Sequence, residues 1–237
     1  MVPNKIYILT GNPFIYEVYD NFCQHLSYKL EPIIVKYSQN PNEHFRNLDY
    51  FFSKETHLET TILFAHSYGS YHAIKLYEKY NFHSCYLLGP FLMKPTEDIY
   101  EYIQTVGILE FFSVSIFKYI VLIIHHIILL LMPEFIFKHI FGIKKKSISN
   151  PIAKSIIDTI HWEQRKFAYI NNLDYLKGFK KLKDIKLLRP VKDVWSNYKI
   201  YESWNPYNRR LLDIQHNFCL SNKDCKTISQ TIFYDIS

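Results

Sequence analysis

The sequence predicts an α/β fold: a mainly parallel sheet with helices on both faces and a helical, apolar insertion after the fourth strand. Three observations predict it. Short apolar runs rich in β-branched and aromatic residues alternate with segments of helical period, the rhythm of strand–helix–strand units. Most of these runs are apolar throughout, as strands covered on both faces must be. The rhythm also breaks near residue 96, is purely helical to about 178, and then resumes. The predicted division is a core of residues 1–95 and 179–237 and a lid of residues 96–178.

In order along the chain, "KIYILT" (5–10) is the first predicted strand, ended by Gly11, and "IYEVYDNFCQHLSYKL" (15–30) the first helix. "PIIVKY" (32–37) is the second strand, followed by a turn and a helix over 38–55. "TTILFA" (60–65) is the third strand, with a helix from Ser67 to about Tyr80. "HSCYLLG" (83–89) is the fourth, and the insertion follows it. "DIKLLRPV" (184–191) and "RRLLDIQ" (209–215) are late strands flanking a helix-like segment, and 222–236 is a helix or a frayed tail. A chain of 237 residues buries a core without staples.

Charge and motif content narrow the function classes. The net charge of +6 is mildly basic. The tight basic run, Lys144, Lys145 and Lys146, directly follows the most apolar stretch, which favours an anionic lipid surface over nucleic acid. A solvated loop is the plain alternative. The four cysteines form no C-x-x-C pair, so neither zinc spacing nor a redox motif is present, and a reducing compartment is expected. The N-terminal apolar run has no cleavage site and serves better as a strand, so no signal peptide is expected. H-E-x-x-H, P-loop and G-x-G-x-x-G motifs are absent, and no metal or cofactor is expected.

Chemistry concentrates at "TTILFAHSYGSYHAIKLY" (60–77). An apolar strand stops at Ser67, small residues flank the corner, and a helix begins at once. The pentapeptide Ala65-His66-Ser67-Tyr68-Gly69 approximates G-x-S-x-G, in which a strained turn lifts a serine hydroxyl above the sheet edge. The N–H of Tyr68 can then face a developing oxyanion. An ordinary strand–helix turn with a capping serine is the competing reading. Asn12, in the "TGNPF" turn after the first strand, is the candidate second donor, against a plain type I turn. A serine nucleophile needs a base and an orienting acid, expected in the order serine, acid, histidine. Asp193 follows the strand of residues 184–191 and His216 the strand of residues 209–215, which gives Ser67, Asp193 and His216. Asp213 and Glu202 are rival acids.

At these residues the chain resembles the lipid droplet-associated hydrolases of the α/β-hydrolase superfamily. The resemblance rests on "ILTGNPFIYEVYDNF", "LFAHSYGSY", "LLGPFLMKPTEDI", "VKDVW" and "HNFCL", and spans residues 5 to about 220. It implies Ser67 as nucleophile, Asp193 as acid and His216 as base of an esterase acting on lipid. Two departures stand out: Phe14 replaces a family glycine, and Ala65 replaces the first glycine of the corner. The chain is also short for the family, and edge strands are expected to be missing.

The segment 111–146, "FFSVSIFKYIVLIIHHIILLLMPEFIFKHIFGIKKK", is the greasiest part of the chain. Its apolar run over 119–132 is shorter than the ~20 residues of a spanning helix. A lid helix pair touching lipid, a buried cap helix and a transmembrane span remain open, with Pro133 bending or ending the first helix. His125 and His126 are adjacent, so on a helix they diverge and do not share a metal. With Phe14 and His66 they are assigned to the acyl pocket and lid. The expected function is hydrolysis of carboxylic esters of lipid, of sterol ester or acylglycerol type. The expected location is intracellular, on a lipid droplet or the endoplasmic reticulum with a cytosolic pool. The alternative is a weak or inactive lipid-surface binder that keeps the fold.

Overall fold

In the computed structural model, the described residues are 2–11, 16–37, 43–92, 133, 180–193, 196, 201–202 and 204–237. They form one six-stranded sheet in the order β2-β1-β3-β4-β5-β6. The strands are β1 (Lys5–Leu9), β2 (Glu31–Val35), β3 (Thr61–His66), β4 (Ser84–Leu88), β5 (Lys186–Lys192) and β6 (Arg209–Gln215). All five neighbouring pairs are parallel. Among the described residues four α-helices cover the sheet: α1 (Asp20–Leu26), α2 (His44–Phe52), α3 (Gly69–Lys79) and α4 (Asn222–Ile236). The predicted lid lies outside the described residues, Pro133 excepted.

The strand period of two sorts side chains between two cores. Tyr7, Leu9, Leu63, Ala65, Cys85, Leu87 and Leu187 face α2 and α3. Ile6, Ile8, Ile62, Phe64, Tyr86, Leu88 and Leu188 face α1 and α4. Each helix meets the sheet through residues at helical spacing: Phe22 and Leu26 on α1, Leu48 and Phe52 on α2, Cys225, Ile228 and Ile232 on α4. Truncating a side chain as buried as Phe22, at 0 % exposure, costs about 3–5 kcal/mol.

The first helix departs from the sequence reading at both of its ends. The first helix is shorter than its apolar spacing suggests, because Tyr16–Tyr19 form a 3-10 turn and regular helix begins only at Asp20. The chain also turns after α1, where the Leu30 and Ser27 N–H groups donate back to Leu26 and Cys23 carbonyls. Pro190 sits within β5 although proline cannot donate to a ladder. It does so because β4 pairs only as far as Leu88 with Leu188, and the β5–β6 register shifts between Pro190 and Lys192. At the C-terminus, 222–236 is fully helical, capped by Ser221 Oγ accepting from the Asp224 N–H at 3.3 Å.

The strand order reverses between β1 and β3. The chain leaves β1 for β2 on one side and returns to β3 on the other. Open parallel sheets place their sites in the crevice at the carboxyl ends of such strands. Gly11 and Ser67 stand at those ends.

Candidate active site

Ser67 follows β3 directly and has φ +49°, in the left-handed region that an ordinary side chain occupies at a cost of about 1–2 kcal/mol. Three backbone hydrogen bonds hold it there: its N–H donates to the Leu88 carbonyl at 3.0 Å, and its own carbonyl accepts from the Phe91 N–H at 3.2 Å and the Ser70 N–H at 3.1 Å. The corner is tight on both sides. A methyl group at Gly69 would come within 2.5 Å of the Leu9 carbonyl oxygen, and one at Gly11 would lie 3.1 Å from Ser67 Cβ. The small residues that drew attention in the sequence are thus required by close approach of α3 and of the loop after β1. Ala65, at the first small position, points into the core between the sheet and α3, where a methyl group fits.

His216 Nδ1 lies 2.9 Å from Asp193 Oδ2, and the Asp193 side chain is fully buried. A carboxylate only accepts, so Nδ1–H donates to it, and Nε2 of the neutral ring is left as the basic nitrogen. Asp193 Oδ1 accepts from the Ser196 N–H at 3.1 Å. The buried Arg189 guanidinium shapes the loop, donating to the carbonyls of Asp193, Ser196 and Pro190 at 3.2–3.3 Å. On the other side of the pair, Asp224 at the start of α4 accepts from the Gln215 N–H at 3.2 Å, which anchors the chain just before His216. The rival carboxylates Asp213 and Glu202 are exposed.

Ser67 and the His216–Asp193 pair are neighbours through two separate paths. The hydrogen bonds that Ser67 makes to the Leu88 carbonyl and accepts from the Phe91 N–H bracket Gly89, and a methyl at Gly89 would lie 2.9 Å from both His216 Nδ1 and Asp193 Oδ2. Gly89 has φ +49°, so its lack of a side chain serves both the turn and the space. The second path runs through His66, whose Nε2 is 2.8 Å from the His216 carbonyl oxygen. His66 is 5 % exposed, with its ring enclosed against Tyr19, His216 and Phe218. Its Nδ1 is 2.7 Å from the Tyr19 hydroxyl, which accepts from the Gly11 N–H at 2.9 Å. Burial, reinforced by His216, pushes the His66 pKa down to about 3.

Tyr68 leads from the corner into α3, with its hydroxyl 2.7 Å from His44 Nδ1 and its ring buried. Asn12, Phe14, His125 and His126 lie outside the described residues. Gly89, Tyr19 and Arg189 had no distinct signal in the sequence as site residues. Gly89-Pro90 at a strand end marks a turn, but not what the turn touches. Burial disfavours the thiolate form of all four cysteines. Burial raises Cys23 to about 11, Cys219 and Cys225 to about 12, and Cys85 further. Among the described residues, no group of three His, Cys, Asp or Glu side chains could hold a metal ion.

Solved structures share this architecture over nearly the whole chain. Haloalkane dehalogenase DbeA from Bradyrhizobium elkanii superposes with a TM-score of 0.63 at 11% identity, covering 99% of this chain and 91% of that one. The chain has the α/β-hydrolase fold. A candidate lipase from Acinetobacter baumannii matches at TM-score 0.57 and 12% identity, over 99% of this chain and 84% of the other. A thioesterase of the prodiginine biosynthetic pathway in Streptomyces coelicolor matches at TM-score 0.57 and 10% identity, over 99% and 86%. No protein-family model matches the sequence, and no curated protein is similar to it. At these identities the likeness concerns the fold alone.

Proposed function

We propose that the protein is a serine hydrolase of carboxylic esters, with Ser67 as nucleophile, His216 as general base and Asp193 as the acid that orients it. The observation that carries this reading is the 2.9 Å bond from His216 Nδ1 to a fully buried Asp193 carboxylate, beside a serine in strained backbone at the sheet's carboxyl edge. In the reaction, His216 Nε2 takes the Ser67 hydroxyl proton as Oγ attacks the ester carbonyl. The carbonyl oxygen becomes an oxyanion, held in this proposal by the Tyr68 N–H and by Asn12. The imidazolium, stabilised by Asp193, returns its proton to the departing alcohol. Water then attacks the acyl-serine by the same route and frees the acid.

The dehalogenases among the fold neighbours raise a second chemistry, and the identity of the corner residue speaks against it. Displacement of a halide by Ser67 Oγ would leave an alkyl ether on the serine, with no carbonyl for water to attack. An acyl ester on the same oxygen is readily hydrolysed. The thioesterase and the candidate lipase are, by name, enzymes of acyl groups.

The substrate class is proposed to be a lipid ester, of sterol ester or acylglycerol type, met at a lipid droplet or membrane surface inside the cell. Support comes from the apolar stretch 111–146 with its terminal lysines, and from the five motif segments that resemble the lipid droplet-associated hydrolases. Among the described residues no helix is long and apolar enough to cross a membrane. The test is turnover of p-nitrophenyl esters of rising chain length, then of an emulsified long-chain glyceride and a sterol ester. Activity rising with chain length and lost in Ser67→Ala is expected. A folded wild type that hydrolyses none of these but still binds the emulsion would establish the lipid-binding alternative instead.

A further inference from the structure

We propose that His66, with Tyr19 behind it, is a positioning residue that ties the backbone after β1 to the backbone of His216 and so fixes the base over the nucleophile. The inference rests on the serine hydrolase reading above and deepens it. Every hydrogen in the link can be assigned. The His216 carbonyl can only accept, so His66 carries its proton on Nε2 and donates there at 2.8 Å. The buried ring is held neutral, which makes Nδ1 an acceptor. The hydrogen between it and Tyr19, at 2.7 Å, is therefore the tyrosine's own. Gly11 N–H completes the chain by donating to the Tyr19 oxygen at 2.9 Å. The order is Gly11 to Tyr19 to His66 to His216, each group donating to the next.

The link is stiff because there is no slack around it. A methyl at Gly11 would lie 2.9 Å from His66 Nδ1, and Tyr19 and His66 are 2 % and 5 % exposed. The edges of their rings meet Phe218, with centroids 6.0 and 5.1 Å away. His216 is consequently held at two points. Asp193 fixes its ring at Nδ1, and His66 fixes its backbone at the carbonyl. Since His66 is the residue immediately before Ser67, the base is located by the same backbone that carries the nucleophile. A misplacement of about 1 Å in such a pair costs on the order of a hundredfold in rate.

The test combines kinetics with histidine ring NMR. With an ester that the wild type hydrolyses, His66→Phe is expected to lower kcat about 10- to 100-fold with KM within about threefold. His66→Gln should recover part of that loss, because its amide N–H can still reach the His216 carbonyl. Tyr19→Phe, which loses one oxygen and leaves His66 Nδ1 and the Gly11 N–H unpaired, should fall between them. In the wild type, the ring nitrogens of His66 should show the proton on Nε2 with no titration between about pH 5 and pH 9. Folded variants with wild-type kcat would overturn the inference and leave the proposed function standing, as would a His66 proton found on Nδ1. A wild type with no turnover would remove the proposed function, and this inference with it. Should His66→Phe fail to fold, Tyr19→Phe and the wild-type NMR decide.

Discussion

His216 and Asp193 leave the sheet from different strands, β6 and β5, yet Nδ1 of one and Oδ2 of the other meet at 2.9 Å in a site where the carboxylate is closed to water. The bond fixes which nitrogen of His216 is basic. Asp193→Asn replaces an acceptor with an amide that can also donate, so the wrong tautomer becomes accessible. Turnover should fall by about 10⁴-fold with the fold retained. Asp213→Asn, at an exposed position on β6, should leave kcat unchanged. Steady-state kinetics on one activated ester checks both. A large loss in the Asp213 variant and none in the Asp193 variant would reassign the acid.

Gly89 is the point where the corner and the His216–Asp193 pair touch. A methyl group there needs φ +49° and sits 2.9 Å from each partner of the pair. Gly89→Ala should lower stability by about 1–2 kcal/mol from backbone strain. It should lower kcat by more than that loss of stability explains, because the pair must separate to admit the methyl. Urea unfolding and kinetics on the same preparation read the two effects. Wild-type values for both would mean that the turn has room the geometry denies.

The neutral buried His66 makes stability depend on pH. Its pKa drops from 6.5 to about 3 on folding, chiefly by burial. Between those values the unfolded chain binds a proton that the folded chain does not. Stability from this residue is therefore fully present above about pH 6.5 and is lost as pH falls toward 3, at no more than about 1.4 kcal/mol per pH unit. Tyr19, Gly11, His216 and Asp193 are the groups that face the ring. Urea unfolding of wild type and His66→Gln between about pH 4 and pH 7 should show a shallower acid limb in the variant. Parallel limbs would contradict the assignment.

The cysteines should be inert. Cys85, Cys219 and Cys225 are buried, and all four thiol pKa values are raised above the usual range. Iodoacetamide at pH 8 should leave ester hydrolysis intact, with at most slow modification of the half-buried Cys23. Rapid inactivation that tracks alkylation would point to a thiol in the chemistry.

Much of this architecture is legible in the sequence, for reasons specific to the residues. Runs such as "TILFAH" are buried at every position, and burial on both faces writes an unbroken apolar signal. The order of Ser67, Asp193 and His216 is legible because each stands just after a strand, and parallel strands bring such ends to one edge. The link from His66 to the His216 carbonyl joins residues 150 positions apart, and no local pattern marks it. Gly89 likewise owes its importance to the register of Leu88 against Leu188, which only the assembled sheet defines. The first helix is shorter than its spacing predicts because Tyr16 and Tyr19 continue the apolar spacing while adopting 3-10 geometry.

The most direct test of the central claim is labelling of the folded protein with a fluorophosphonate, followed by mass mapping of the modified peptide. One adduct on Ser67 is predicted, absent in Ser67→Ala and formed orders of magnitude more slowly in His216→Ala. A folded wild type that takes no label, or one whose label persists in Ser67→Ala, would contradict it.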